Sequence, residues 1–505
     1  MPTLGVAQIA GYLKSNGIKC RVIDAGAEFL YGLFEGESYV YENVASCLKI
    51  FSDRYDNLEV TLDDFRTDFH WRDLARLKEY IEYEKVFSKE LKKLSFLHES
   101  KENIDEDEYY GLSISYESQV IPAMLLAKII KAEKPGAKIC VGGSLLYNYE
   151  NDFYKFFYIS DIIDVLIVGS GEEVMRLIGL GKEDFLDNLS GINVKSVGER
   201  YIIDSRGMEF KPVIYEPDFS GVHFEYYPSI EKAFPYMIKE RCYYGKCHFC
   251  NGDKVEGLRS IKNVERAFEN IGKIADSTGI YNVYIVDAAV SPADLEKIAA
   301  LPIEMPIRWI ANGRFEKRLK DESLISKISE KGCTMLRFGL ESASQRILNL
   351  MNKGTSVTDA EEIINLTAKY GIQNHVYLMF GYSGETKEDR KMTLDFLERN
   401  KKVISSYSVS LFQPIPGTQV YQKLLREIGE GEDVYERMIK LIYKDEHFYN
   451  EIYQDILKLN DILYGYARTN AEYYSANIFN TFGDDAVKEE KGKKISIQFS
   501  PENGL

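Results

Sequence analysis

The chain lacks long apolar runs, a surplus of positive charge and an abundance of cysteine, and each lack closes off a class of function. Its apolar stretches, such as Ile162 to Val168, are far too short to cross a bilayer. The N-terminus shows no charged-then-apolar pattern of the kind that directs secretion. Lys and Arg number 63 against 79 Asp and Glu, a formal net charge of -16, so affinity for nucleic acid through phosphate contacts is not expected. A polyanionic substrate is disfavoured for the same reason. Only seven cysteines are present, an odd number with no framework spacing, which suits a reducing, cytoplasmic location. At 505 residues and 45% hydrophobic, the chain is expected to form two or more domains with sizeable cores.

Three of the seven cysteines stand together. Cys242, Cys247 and Cys250 have C-x4-C-x2-C spacing. Thiolates this close cannot all pair as disulfides, and a thiophilic metal is the usual reason to gather them. Zinc would need a fourth ligand. His248 sits directly beside Cys247, poorly placed to share a metal with both flanking cysteines. An iron-sulfur cube on three thiolates leaves one iron open for chemistry. The other four, Cys20, Cys47, Cys140 and Cys333, lie among apolar neighbours and read as packing residues.

The cysteine triad is followed in order by Gly339-Leu340-Glu341-Ser342, Met351-Asn352-Lys353-Gly354-Thr355, Leu378 to Thr386 with Gly381 at its turn, and Pro414-Ile415-Pro416-Gly417-Thr418. Together these resemble the core of the radical SAM enzymes, with one residue more than usual in the first cysteine gap. The resemblance covers about residues 233–424. It implies a 4Fe-4S cluster held by Cys242, Cys247 and Cys250, with S-adenosylmethionine on the fourth iron. It further implies that Glu341, Ser342 and Arg314 serve the methionine part of that cosubstrate, while Phe249 and Gly381 lie near the adenine. An electron donor such as flavodoxin or ferredoxin is implied as well. No residue is assigned a catalytic role.

Along the chain, Leu4 to about Gly17 carries a helical stripe, and Lys19 to Asp24 reads as a short strand. Residues 27–107 look like a helical insertion, with Trp71 to Lys78 typical of an amphipathic helix. Strands are predicted at Tyr110 to Ile114, Lys138 to Val141 and Asp164 to Val168, with a helix from Gln119 to Glu133. That rhythm argues a Rossmann-like, doubly wound domain over residues 1–180. Its strand ends carry Gly142-Gly143 and Gly169-Ser170-Gly171-Glu172, which resemble the turns of the cobalamin-binding domain in one radical SAM subgroup. The resemblance implies a corrinoid near Gly142, Gly143, Gly169 and Gly171. No Asp-x-His-x-x-Gly motif is present, the chain opens on a helix, and Ser144 to Tyr147 put bulky residues where a small turn is usual. A corrinoid site and a scaffold-only domain both remain open.

Residues 181–232 read as a connector with local strands. Six strand-like runs follow, at Phe234 to Lys239, Tyr281 to Val286, Ile307 to Ala311, Met335 to Gly339, His375 to Phe380 and Ser406 to Leu411. Helical stretches separate them, giving an α/β fold with a partial (β/α)6 barrel and chemistry at the carboxyl ends of the strands. Residues 425–505 are expected to be helical, with an edge strand near Ile495 to Phe499. The expected function is radical cleavage of S-adenosylmethionine, leading to cobalamin-dependent methylation of an unactivated carbon. A cobalamin-free radical reaction and a non-enzymatic metal module are the alternatives. The substrate is left open between a small molecule, a lipid and a peptide.

Overall fold

The computed structural model describes residues 4–28, 91–98, 108–115, 119–181, 190–208, 215–227, 232–239, 241–251, 263–302, 306–431, 434–444 and 446–463. The predictions for Cys47, Trp71 to Lys78 and Ile495 to Phe499 lie outside them, as does most of the 27–107 insertion. Among the described residues no helix is long and apolar enough to cross a membrane. The chain forms two compact units that divide after residue 228.

The first unit opens with α1 (Leu4–Ser15). It continues through β1 (Tyr109–Ser113), α2 (Val120–Glu133), β2 (Lys138–Gly142), α3 (Ser144–Ile159), β3 (Val165–Val168), α4 (Glu172–Gly179), β4 (Asn193–Val197) and β5 (Arg200–Asp204). Strand order is β1-β2-β3-β5-β4, parallel except for β4. Because side chains alternate along a strand, Ile139, Val141, Leu166 and Val168 pack on one face with α2 and α3, while Cys140, Val165 and Ile167 pack on the other with α4. Two apolar faces, each covered by helix, make the sheet doubly wound.

Three expectations change here. Residues 18–24 form no strand; the Val22 backbone instead packs closely on Gly221, in a loop. The segment predicted as a connector supplies a β4–β5 hairpin, because Ile202 and Ile203 extend the two apolar faces and β5 pairs with β3. Ser144 to Tyr147 form the first turn of α3 rather than an obstructed loop, and Leu145 and Leu146 are buried in the core.

The second unit runs β6 (Phe234–Tyr236), α5 (Val264–Thr278), β7 (Asn282–Ile285), α6 (Pro292–Ala300), β8 (Arg308–Gly313), α7 (Glu322–Glu330), β9 (Cys333–Glu341), α8 (Gln345–Leu350), α9 (Val357–Lys369), β10 (Gln373–Phe380), α10 (Lys387–Asn400) and β11 (Ser406–Leu411). α11 (Gln419–Ile428), α12 (Val434–Tyr443) and α13 (Glu446–Leu463) follow. All six strands are parallel and in sequence order, with β6 and β11 as the sheet edges. The predicted strands are all present, although β6 stops at Tyr236 because the next backbone N–H groups turn to the Asp287 carboxylate.

Helix starts are written in side-chain caps. Asn263, Ser291, Asp321, Ser344, Ser356, Thr386 and Thr418 each accept a hydrogen bond from a backbone N–H of the first turn. Two of these caps, Thr386 and Thr418, fall inside the sequence motifs, so part of each of those two motifs is the turn that starts a helix. On β9 and β10, Leu336, Phe338, Leu340, Val376, Leu378 and Phe380 are all buried. Each contributes about 2 kcal/mol by leaving water. The opposite face of the same strands carries Arg337, Gly339 and Glu341, then His375, Tyr377 and Met379. A closed (β/α) barrel fills its interior with branched apolar residues. Here that face carries charged and polar side chains as well.

Candidate active site

The cysteine loop leaves the carboxyl end of β6 and is held by two later segments of chain. His248 donates its N–H to the Met351 carbonyl at 2.9 Å, and Asn352 Nδ2 donates to the Lys246 carbonyl at 2.8 Å. Tyr244 adds a hydroxyl bond to the Asn352 carbonyl at 2.8 Å. From the other side, Val420 donates its N–H to the His248 carbonyl at 3.0 Å, and Asn251 Nδ2 donates to the Pro416 carbonyl at 2.8 Å. The Met351 to Thr355 and Pro414 to Thr418 motifs therefore act on the cysteines through backbone, holding them on one loop. Cys242 and Cys247 are half-buried and Cys250 is exposed. Among the described residues no three His, Cys, Asp or Glu side chains close on a point as they would around a single ion. The three thiols lie along one loop that follows β6. Cys140 and Cys333 are buried in the cores and Cys20 is half-buried, as packing residues would be.

Arg314 braces this loop. Its side chain is 4% exposed, with Nη2 donating to the Lys353 carbonyl, Nη1 3.6 Å from Cys247 Sγ and Nε 3.4 Å from Glu316. The guanidinium carbon lies 3.6 Å from the centre of the Tyr244 ring. Glu341 ends β9 with φ at +60°, a left-handed conformation that costs a non-glycine residue roughly 1 kcal/mol or more. Its carboxylate takes a 2.7 Å ion pair from Lys353 Nζ. That ammonium also lies 5.6 Å from the centre of the Phe249 ring, and Phe249 meets Tyr382 edge-on at 6.4 Å. Of the residues singled out in the sequence, Cys247, Phe249, Arg314 and Glu341 thus gather around Lys353, a member of the Met351 to Thr355 motif to which no role was assigned.

Others stand apart. Ser342 stands just past the end of β9 and approaches Thr393 of α10 at 3.3 Å. Gly381 ends β10 with φ at +77°, and a β-carbon there would lie 2.6 Å from Tyr443 of α12. Tyr443 donates to the Phe412 carbonyl at 2.7 Å, so the C-terminal helices cross the ends of β10 and β11. Asp287 stands just past β7 and is buried. It accepts from Ile238 N at 2.7 Å and Lys239 N at 3.0 Å, clamping the start of the cysteine loop. Burial pushes its carboxyl up to about 7, against the pull of those two N–H groups. His375 bonds Ser406 at 2.8 Å, and burial holds it well below the usual histidine range and neutral.

Glu385 accepts the Gly381 N–H at 2.7 Å, and burial pushes its carboxyl up to about 7. A raised carboxyl pKa means the folded state keeps a proton that the unfolded chain has lost. The associated stability is present below about pH 4.5 and disappears as pH rises through about 7, a change on the order of 3 kcal/mol. Glu385→Gln retains the acceptor and removes the titration. Urea unfolding at pH 5.5 and pH 8 is expected to show a smaller drop in stability for this variant than for the wild type. Equal drops in both would assign the pH dependence elsewhere.

Residues 236–397 match the radical SAM superfamily, the stretch that contains the cysteine loop and strands β7 to β10. The chain thus carries a region similar to the radical SAM superfamily. An uncharacterized methyltransferase of Pyrococcus horikoshii is 24% identical over 278 residues, 52% of this chain and 58% of that protein. The anaerobic magnesium-protoporphyrin IX monomethyl ester cyclase of Cereibacter sphaeroides is 23% identical over 283 residues, 53% of this chain and 45% of that protein. The aligned stretch is about half the length of these curated relatives. Among solved structures, the radical S-adenosylmethionine methyltransferase TsrM of Kitasatospora setae, with tryptophan and an S-adenosylmethionine analogue bound, superposes with a TM-score of 0.52. The match covers 88% of this chain and 87% of TsrM at 14% identity, so it speaks for the fold alone.

Gly142, Gly143, Gly169 and Gly171 all lie in the first unit, at the carboxyl ends of β2 and β3, where doubly wound sheets take ligands. Two of them are required by the chain itself. Gly143 has φ at +117° with the Ile114 backbone pressed against it, and Gly169 has φ at +111° with Ser205 Oγ 2.7 Å from where a β-carbon would stand. A β-carbon at Gly171 would lie 3.4 Å from Ile9. A β-carbon at Gly142 would meet only Ile167, at ordinary contact distances of 3.6 and 3.8 Å. The fit to a corrinoid therefore rests on Gly142 and its turn.

Proposed function

We propose that this chain is a radical SAM methyltransferase, with Cys242, Cys247 and Cys250 holding a 4Fe-4S cluster, and that it methylates an unactivated carbon with the help of a corrinoid. The observation that carries the reading is the cysteine loop itself, three thiols presented at a strand end and held there by the two other motif segments. A cluster in that loop supplies one electron to bound S-adenosylmethionine, which yields methionine and a 5'-deoxyadenosyl radical. The chain's own groups do the rest. Arg314 fixes the loop, Phe249 and Tyr382 offer ring faces beside it, Glu341 and Lys353 present opposite charges, and the C-terminal helices cover the ends of β10 and β11. An external reductant, such as flavodoxin or ferredoxin, must supply the electron. The methyl-transfer part of the reading is supported by the methyltransferase name of the Pyrococcus relative and by the likeness in fold to TsrM.

A corrinoid supplies a methyl group that can be passed on, and Gly142 is the place to test for it. Gly142→Trp is expected to abolish cobalamin retention while leaving iron content and radical formation unchanged, read from the visible spectrum of anaerobically purified protein with and without added cobalamin. Gly169→Trp is a poor test, because Ser205 and Arg206 already occupy the space and the unit would unfold. One observation favours a second reading, a cobalamin-free radical enzyme with a scaffold domain: Gly143 and Gly169 serve chain contacts. Full turnover by the wild type without cobalamin would establish that second reading.

A further inference from the structure

The methionine part of the cosubstrate carries an ammonium and a carboxylate, and Arg314 and Glu341 are the charges the sequence offers for them. Arg314 is committed elsewhere. Its three nitrogens go to the Lys353 carbonyl, Cys247 and Glu316, and its face is stacked on Tyr244. Each of these contacts braces the cysteine loop or the chain beside it. Glu341, by contrast, is paired with a charge on its own side of the sheet. Lys353 Nζ lies 2.7 Å from Glu341 Oε1, with side chains 7% and 11% exposed. A β-carbon at Gly339 would come within 2.6 Å of both atoms, so the pair lies over Gly339, on the polar inner face of β9. The missing side chain at Gly339 is what leaves room for it.

This ion pair is a poor device for stability. Taking two charges out of water costs about as much as their attraction returns. Glu341 adds the strain of a left-handed backbone, φ +60°. Strained and desolvated charges of this kind collect where a ligand will use them. An α-amino-acid zwitterion is the ligand that matches, because it brings one charge for each partner. Its ammonium can take over Glu341 and its carboxylate can take over Lys353, so neither buried side chain is left without an opposite charge.

We propose that Lys353, rather than Arg314, is the cation that receives the carboxylate of the cosubstrate's methionine part, and that the Lys353–Glu341 pair opens to admit that zwitterion. The proposal rests on the radical SAM reading and gives a role to a residue of the Met351 to Thr355 motif that had none. It separates two roles that the sequence merges. Arg314 holds the metal-binding loop, and Lys353 reads the cosubstrate.

The test compares two probes on cluster-loaded protein under anaerobic conditions, by calorimetry: S-adenosylmethionine, and 5'-methylthioadenosine, which lacks the amino-acid part. Loss of one charge-assisted contact in a buried site is expected to weaken S-adenosylmethionine binding by Lys353→Met about tenfold to a hundredfold. Affinity for 5'-methylthioadenosine should stay at the wild-type level, and Lys353→Arg should recover most of the preference. Because Lys353→Met strands the Glu341 charge, Lys353→Gln combined with Glu341→Gln gives a neutral, hydrogen-bonded pair and is carried in parallel. It should lose the preference too. Equal weakening of both probes would reveal a merely structural lysine, and an unchanged preference in either iron-loaded variant would also overturn the proposal. Failure of the wild type to bind S-adenosylmethionine would remove this proposal together with the reading beneath it.

Discussion

Replacing any one of Cys242, Cys247 and Cys250 with alanine is expected to remove most of the iron from anaerobically reconstituted protein and all reductive cleavage of S-adenosylmethionine. The three thiols sit on one loop, and no fourth described His, Cys, Asp or Glu converges with them to compensate for a loss. Two thiolates hold a cubic cluster weakly, because each missing ligand opens another iron to solvent and exchange. The fold should survive the change. The loop is anchored by its backbone and by Tyr244, Asn251 and Asn352 rather than by sulfur, so the far-ultraviolet spectrum and melting temperature of the apo-protein should stay near wild type. Variants that keep full iron and cleave the cosubstrate would place the cluster elsewhere.

Arg314→Met is expected to have the next largest effect, and a different signature. The guanidinium is buried beneath Tyr244 with its donors on Lys353, Cys247 and Glu316, so its removal takes a donor from the Lys353 carbonyl and leaves Glu316 with the Tyr243 hydroxyl. Truncating a buried, hydrogen-bonded charge costs about 3 kcal/mol. Both fold and cluster should therefore suffer: a lower melting temperature for the apo-protein, and reconstituted iron reduced several-fold without being abolished. Lys at the same position should rescue little, since it lacks the planar fork that serves three partners at once and stacks on the ring. A variant with wild-type stability and iron, but weakened cosubstrate binding, would return Arg314 to the role first inferred for it.

The strands and the cysteine loop are legible in the sequence because each depends on short-range information. Alternation along Met335 to Gly339 and His375 to Phe380, and caps such as Thr386 and Thr418, act within a few residues. What sequence could not reveal depends on partners far along the chain. Residues 18–24 carry a strand-like pattern but pack on Gly221, some two hundred residues away. Ile202 and Ile203 look like part of a connector until β3 supplies the pairing edge. Gly143 and Gly169 resemble ligand-facing turns, yet their conformations answer to Ile114 and Ser205. Lys353 is one lysine among many in sequence, and only the fold sets its ammonium on Glu341 over the bare face of Gly339. Ser342 likewise meets Thr393 of α10, a contact that only the fold supplies.

The central claim is that the cysteine loop holds a redox-active cluster with one iron open to S-adenosylmethionine. It is tested most directly by reconstituting the wild-type chain anaerobically with iron and sulfide, reducing it, and recording its electron paramagnetic resonance spectrum with and without S-adenosylmethionine. The account predicts about four irons per chain, a reduced-cluster signal that changes shape when the cosubstrate is added, and 5'-deoxyadenosine among the products. Stoichiometric zinc with no iron-dependent signal, or a cluster signal indifferent to S-adenosylmethionine, would contradict it.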